Sequence, residues 1–285
     1  SAGLQAVLAP DDGVLLPEPY FPAYKAHVIM AGGRVVPVPT SFDTEFTLRA
    51  EDLRRAVTPR TKVLILNSPN NPTGNVLDRQ TLDELADIVR EKKLIVLSDE
   101  VYDRMVFDGR FESIVSRPGM AEQTLVIKSC SKTYAMTGWR VGFAFGPSWL
   151  MPQVIKVVNY ATTCVNTPGQ RAALAALSMD QQPFLSMSES FQRRVELLWN
   201  RLQKIPGIRC HRPAGSFYLF PDISSLNTDS TAFALSLLEK ARLLVIPGVA
   251  FGQSGEGCVR IAGTVGEDLL EEAMHRLQRY VANIG

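Results

Sequence analysis

The sequence predicts an α/β protein, and three features carry that prediction. Runs of apolar and β-branched residues recur at Val14–Leu16, Val63–Asn67, Leu94–Leu97 and Thr124–Lys128, and read as strands buried on both faces. Amphipathic helical stretches stand between them. The clearest is Asp78–Glu91, where Leu82, Leu85, Ala86 and Val89 share one face. Polar or proline-rich turns follow the runs, and open α/β sheets bind ligands at such strand ends.

Length and composition narrow the function classes. A chain of 285 residues can bury a large core and is expected to hold two domains. A net charge of +1 gives no surface for nucleic acid or anionic membrane. No apolar run approaches the roughly 18 residues that span a bilayer, and the opening residues do not read as a signal peptide. Cys130, Cys164, Cys210 and Cys258 lie far apart and form no ligand pair. Reduced thiols in a cytoplasm follow as the expectation. His27, His211 and His275 show no metal spacing.

In chain order, Ser1–Leu8 reads as the first turn of a helix whose amides could bind phosphate. Val14–Leu16 is a strand that the prolines at 17, 19 and 22 are expected to end, leaving Phe21 exposed. A helix at Tyr24–Ala31 and a strand at Arg34–Val38 come next. Leu48–Val57 is a helix with a charged wet side. Strand Val63–Asn67 leads into Ser68-Pro69-Asn70-Asn71-Pro72-Thr73-Gly74. Strand Leu94–Leu97 ends at Ser98-Asp99, and a carboxylate at the tip of a buried strand must be paired or hydrogen-bonded. Glu100, its neighbour, should point away.

The central stretch is 124-TLVIKSCSKTYAMTGWRVGFAFG-146. Its strand delivers Ser129 and Lys132 to the sheet's mouth, and Arg140 follows eight residues after the lysine. A lysine leaving a buried strand is unusually placed for a residue that prefers water. Hydroxyl, amine and guanidinium together suit an anionic ligand with a carbonyl for the lysine to capture.

Helices are expected at Ser148–Val157, Gly169–Ser178 and Pro183–Lys204. The domain boundary is placed within the last, near Gln192, giving a large domain over 1–191 and a small α/β domain over 192–285. The small domain reads as a turn and alternating strand at Cys210–Phe220, a helix at Thr231–Ala241, strands at Leu243–Ile246 and Cys258–Ala262, and a terminal helix at Glu267–Ala282. Arg260, alone among apolar neighbours, can clamp a carboxylate through two parallel hydrogen bonds.

Ser129-x-Ser131-Lys132 with Gly138-x-Arg140, the Asn71-Pro72-Thr73-Gly74 box, Asp99 with Tyr102, and Pro247-Gly248-x-x-Phe251-Gly252 before Val259-Arg260-Ile261 together resemble class I/II aminotransferases. These are fold-type I enzymes dependent on pyridoxal 5'-phosphate (PLP). The resemblance spans nearly the whole chain and implies a three-layer αβα large domain on a mainly parallel sheet, with a smaller C-terminal α/β domain. It implies a Schiff base between Lys132 and PLP. By the same resemblance Asp99 faces the pyridinium nitrogen, Asn71 and Tyr102 face O3', and Phe21 stacks on the ring. Ser129, Arg140 and the amides of Ser1 and Ala2 would hold the phosphate, and Arg260 the substrate α-carboxylate. The partners implied are an amino acid, a 2-oxo acid and a second copy in a homodimer. The family pattern also leads one to expect about a quarter of the usual chain before Ser1. A PLP-dependent carbon–sulfur lyase and a non-catalytic PLP-binding domain or fragment share the motifs and remain alternatives.

Overall fold

The computed structural model describes residues 1–284. Six strands form the main sheet: β1 (Gly13–Glu18), β2 (Arg34–Pro39), β3 (Thr61–Asn67), β4 (Ile95–Asp99), β5 (Thr124–Ser129) and β6 (Gly142–Phe145). Their order is β2-β1-β3-β4-β5-β6, parallel throughout except for β6. The helices are α1 (Ala2–Val7), α2 (Ala23–Met30), α3 (Ala50–Ala56), α4 (Arg79–Lys92), α5 (Cys130–Thr133), α6 (Met151–Thr162), α7 (Thr167–Ser178), α8 (Gln182–Leu202), α9 (Ser230–Ala241) and α10 (Glu267–Ala282).

Strand periodicity makes the three layers. Val14, Leu16, Val63, Ile65, Leu97 and Leu125 pack on one face against Leu4, Val7, Leu150 and Val154, from α1 and the α6 region. The intervening Leu15, Leu64, Leu66 and Val96 pack on the other, against Leu53 of α3 and Leu82, Leu85, Ile88 and Val89 of α4. Successive side chains of a strand alternate faces, so strands apolar at every position need a helix layer on each side. Asp78 starts α4 by accepting the Thr81 amide at 2.7 Å.

A second core surrounds a small sheet of order β7-β9-β8, made of β7 (Tyr218–Leu219), β8 (Ile246–Pro247) and β9 (Val259–Ala262). It gathers Val195, Leu198 and Leu202 of α8, Phe233 and Leu237 of α9, and Leu270, Met274 and Leu277 of α10. Tyr102 and Met105, from the loop after β4, belong to the same core.

Four expectations need correction. β1 does not stop at Pro17 but runs to Glu18 beside β2. Pairing with β3 ends at Leu15, so one side of the strand is free there and tolerates a proline. The helix placed at Ser148–Val157 begins later, at Met151, with Pro152 in its first turn. Residues 210–220 do not alternate: Ser216 to Phe220 are all buried, because this segment lies between the main domain and the second core. The amide of Ser216 bonds the Met105 carbonyl at 2.8 Å. Leu243–Ile246 forms a strand only at its end, with Leu244 76% exposed.

Gly74 ties the two parts together. Its carbonyl accepts the amides of Ala214 (3.1 Å) and Gly215 (2.9 Å) at a φ of +77°. A Cβ there would lie 2.5 Å from Pro213 Cβ and 3.1 Å from the Gly215 carbonyl. Gly109 has a φ of +78° but nothing within 4 Å of such a Cβ. Gly109→Ala should therefore lose only the left-handed backbone term, about 1 kcal/mol, and Gly74→Ala about 3 kcal/mol because a clash is added. Urea unfolding of both variants checks this, and equal losses would show that the space at Gly74 is not restricted.

Candidate active site

The chain leaves β1 toward β2 on one side and β3 on the other, so the topological switch lies between β1 and β3. In open α/β sheets that crevice, at the carboxyl ends of the strands, is where ligands bind. Asn67 ends β3, Asp99 ends β4 and Ser129 ends β5, so each strand brings one polar residue to the same edge. Asn67 pairs in register with Asp99.

Asn67 and Asp99 are linked by hydrogen bonds as well as by register. Asn67 Nδ2 donates to the Asp99 carbonyl at 3.1 Å, and Asn67 Oδ1 accepts the Asn71 amide at 3.0 Å. The half-buried Asp99 carboxylate accepts the Tyr24 hydroxyl at 2.6 Å through Oδ2, and the Val101 amide at 3.3 Å through Oδ1. Among the described residues no cation lies within ion-pair distance of it. Burial pushes its pKa up, against the pull of the Tyr24 hydrogen bond. Burial and the carboxylate together push the Tyr24 phenol well above its ordinary value, so the proton stays on the tyrosine. Glu100 faces the other way, into a buried cluster with Ser98 Oγ (2.9 Å) and Lys128 Nζ (3.2 Å).

Lys132 sits in α5, whose first amide cap is the Ser129 hydroxyl accepting the Ser131 amide at 3.1 Å. Its Nζ lies 6.0 Å from the Tyr102 ring centre and 5.5 Å from that of Phe217. Burial depresses the lysine pKa, and the like charges of Arg260 and Arg140 depress it further. Arg140 is exposed, in a left-handed conformation with Nη1 on the Thr137 carbonyl at 2.8 Å.

Arg260 reaches the same site from the small sheet. Its Nη1 donates to Asn71 Oδ1 at 2.9 Å, which orients the amide and leaves Asn71 Nδ2 free to donate elsewhere. The guanidinium lies 4.5 Å from the Tyr218 ring centre and 5.0 Å from that of Phe251. Its buried Nε has no acceptor. Tyr102 is 4% exposed and its hydroxyl lies 3.2 Å from that of Tyr218. Phe21 is 40% exposed and packs its ring edge-to-face with Tyr24 at 5.7 Å. α1 opens at Ala2 after Ser1.

The structure thus brings Asn71, Asp99, Tyr102, Lys132 and Arg260 around one cleft, with Arg140 beside the lysine. The groups complement a flat anionic pyridine aldehyde. They offer an acceptor without a cation, amide and phenol donors, and an amine whose pKa burial and two arginines lower. Three contributions were not read from sequence: Asn67, Tyr24 in its hydrogen-bonding role, and the contact of the Tyr218 hydroxyl with Tyr102. A strand-terminal asparagine and an aromatic one turn past Phe21 were the available signals for the first two.

The family model for aminotransferase class I and II matches residues 1–277. The chain belongs to this family. It is 42% identical over 280 residues to aromatic-amino-acid aminotransferase 2 of Thermococcus litoralis, covering 97% of this chain and 72% of that protein. It is 43% identical over 281 residues to an aspartate aminotransferase of Pyrococcus abyssi, with the same coverage. The fold superposes on the aromatic aminotransferase of Pyrococcus horikoshii OT3 with a TM-score of 0.96 at 43% identity, over 99% of this chain and 76% of that one. PLP-dependent amino transfer is the activity that membership carries, and the three-layer α/β fold agrees with it. No helix among the described residues is long and apolar enough to cross a membrane. No cluster among them could hold a metal ion.

A depressed pKa means that Lys132 loses its proton at lower pH than an exposed lysine does. Acylation of Lys132 in cofactor-free protein, followed by peptide mass spectrometry across pH, should show half-reaction at lower pH than exposed lysines. Arg140→Ala should move that midpoint upward. A midpoint equal to that of exposed lysines would contradict the electrostatic account.

Proposed function

We propose that the protein transfers amino groups between an amino acid and a 2-oxo acid at the cleft around Lys132, with an apolar or aromatic amino acid as the preferred donor. The observation that carries the site assignment is Lys132 itself: an amine with lowered pKa, between two arginines, at the sheet edge that also holds Asp99.

PLP, when bound, supplies an aldehyde for an amine to capture and an aromatic ring that withdraws electrons from the substrate α-carbon. Lys132 Nζ would be the amine that holds the aldehyde, and as a free amine it would be the base placed to move the substrate α-proton. Asp99 holds a proton on the ring nitrogen, its acceptor oxygens kept in place by Tyr24 and the Val101 amide. Asn71 Nδ2 and the Tyr102 hydroxyl donate to the phenolic oxygen, and Phe21 covers the ring face. Ser129, Arg140 and the amides of Ser1 and Ala2 take the phosphate. Arg260 binds the substrate α-carboxylate through the guanidinium donors that its bond to Asn71 leaves free.

The cleft next to Lys132 and Arg260, about 370 Å³, is walled by Ala135, Met187, Phe191, Phe217, Tyr218 and Ala262. The cations lining it are Lys132 and Arg260, both already engaged. A second carboxylate on the substrate would find the neutral hydroxyls of Ser131, Thr137 and Thr264 there, and no further cation. This supports an apolar side chain over an acidic one, and the relatives named above include enzymes of each kind.

We also infer a cytoplasmic homodimer whose small domain begins near Gln192. Four free cysteines agree with a reducing compartment. Exposed Phe145 (55%) and Tyr160 (86%) leave apolar surface for a second copy.

Lys132→Ala should abolish turnover, by about 10³-fold or more, as expected for loss of a catalytic base and nucleophile. Product assays on the intact protein with PLP should show 2-oxo acid formation only when an acceptor 2-oxo acid is present. Release of pyruvate and ammonia without an acceptor would identify a lyase instead. Phenylalanine should exceed aspartate in kcat/KM by about tenfold or more, because the cleft offers a second carboxylate no cation. A preference for aspartate would overturn the donor assignment.

A further inference from the structure

Tyr218 touches both halves of the site. It lies in β7 and is 6% exposed. One face of its ring carries the Arg260 guanidinium, 4.5 Å from the ring centre. Its hydroxyl is 3.2 Å from that of Tyr102, and the two rings meet edge-to-face at 5.9 Å. Two buried hydroxyls at this distance share one proton between them, and the accepting one keeps its own proton for a third group.

The surroundings favour one direction. Within the described residues neither hydroxyl has another partner, so the chain of two must end on something that enters the site. Tyr102 is the member whose ring borders Lys132 Nζ, at 6.0 Å. The Arg260 cation lies on the ring of Tyr218, where it favours electron density on the face and strengthens the hydroxyl as a donor. Either hydroxyl can donate in this pair; with Tyr218 as the donor, the Tyr102 proton is left for a group bound beside Lys132.

We propose that Tyr218 is a positioning residue with two separable tasks: its hydroxyl aims the Tyr102 proton at the phenolic oxygen of PLP, and its ring holds Arg260 in the plane that receives the substrate carboxylate. The proposal rests on the functional reading above. It joins two residues 116 positions apart in the chain, and makes the cofactor's electronic tuning depend on the small sheet.

Two substitutions separate the tasks. Tyr218→Phe removes the hydroxyl and keeps the ring; Tyr218→Leu removes both. Two quantities are read on the full chain. One is the pH titration of the visible band of lysine-bound PLP together with the PLP dissociation constant. The other is KM for the amino donor. Loosening the aim of the Tyr102 donor toward the phenolate form should raise the spectral pKa of Tyr218→Phe by roughly half a unit or more, and weaken PLP binding about threefold or more. Its KM should stay within about twofold, because the stack on Arg260 remains. Tyr218→Leu should show the same spectral shift and, in addition, a KM raised about tenfold. In a Tyr102→Phe background, Tyr218→Phe should shift the titration no further. A shift that persists in that background, or a Tyr218→Phe titration matching the unaltered protein, overturns the proposal while the functional reading stands. No PLP-dependent band in the unaltered protein overturns both.

Discussion

A half-buried carboxylate with no cation beside it governs this site. Asp99 closes β4 at the carboxyl edge of a parallel sheet, where helix layers on both faces leave little water to solvate it. An unpaired acidic group in such a place destabilises the fold unless donors reach it. The protein supplies two, the Tyr24 hydroxyl and the Val101 amide, both neutral. The remaining demand is for a positively charged donor, and a protonated pyridine nitrogen would meet it. Much else follows from holding that carboxylate still. Asn67 bonds the Asp99 backbone, and Tyr24 packs on Phe21, so the acceptor and the aromatic proposed to cover the ring are positioned by the same few contacts.

The second constraint comes from the small sheet. Arg260 is the only guanidinium that reaches the Asn71 amide among the described residues, and it does so from 189 positions away. One bond sets two orientations: Asn71 can present only Nδ2 to the cleft, and Arg260 can present only its remaining donors. Tyr218 and Phe251 hold the guanidinium by their faces. The cofactor side and the substrate side of the site are thus braced on each other, with Lys132 between them. Burial lowers the pKa of that lysine and the charge of Arg260 lowers it further, so the group proposed to receive the substrate anion also favours the free amine.

Much of this was legible in the sequence for a simple reason. Polar residues that directly follow buried strands have few places to go, and Asn71, Asp99, Ser129 and Lys132 all stand there. Helix α4 was legible because its apolar residues repeat at helical spacing and Asp78 caps it. What could not be read were pairings between distant segments. Tyr24 and Asp99 are 75 residues apart, and Tyr102 and Tyr218 are 116 apart. A hydroxyl's partner leaves no local pattern. The small sheet was misread for a related reason. The segment before Phe220 is buried on both sides by tertiary contacts, so the alternation assumed from its residues does not exist, and Leu243–Ile246 is apolar yet mostly outside the sheet. Pro17 misled in the opposite direction, since a proline stops a strand only where its missing donor was needed.

The central claim is that Lys132 is the amine that bonds the cofactor. Borohydride reduction of the protein mixed with PLP, followed by peptide mapping, tests it most directly. Every lysine competes for the aldehyde, but Lys132 alone combines a lowered pKa with the surrounding donors. The account predicts a single phosphopyridoxyl label on the peptide carrying Lys132, formed at PLP concentrations too low to mark the others. A label spread over surface lysines, or absent from Lys132, would contradict it.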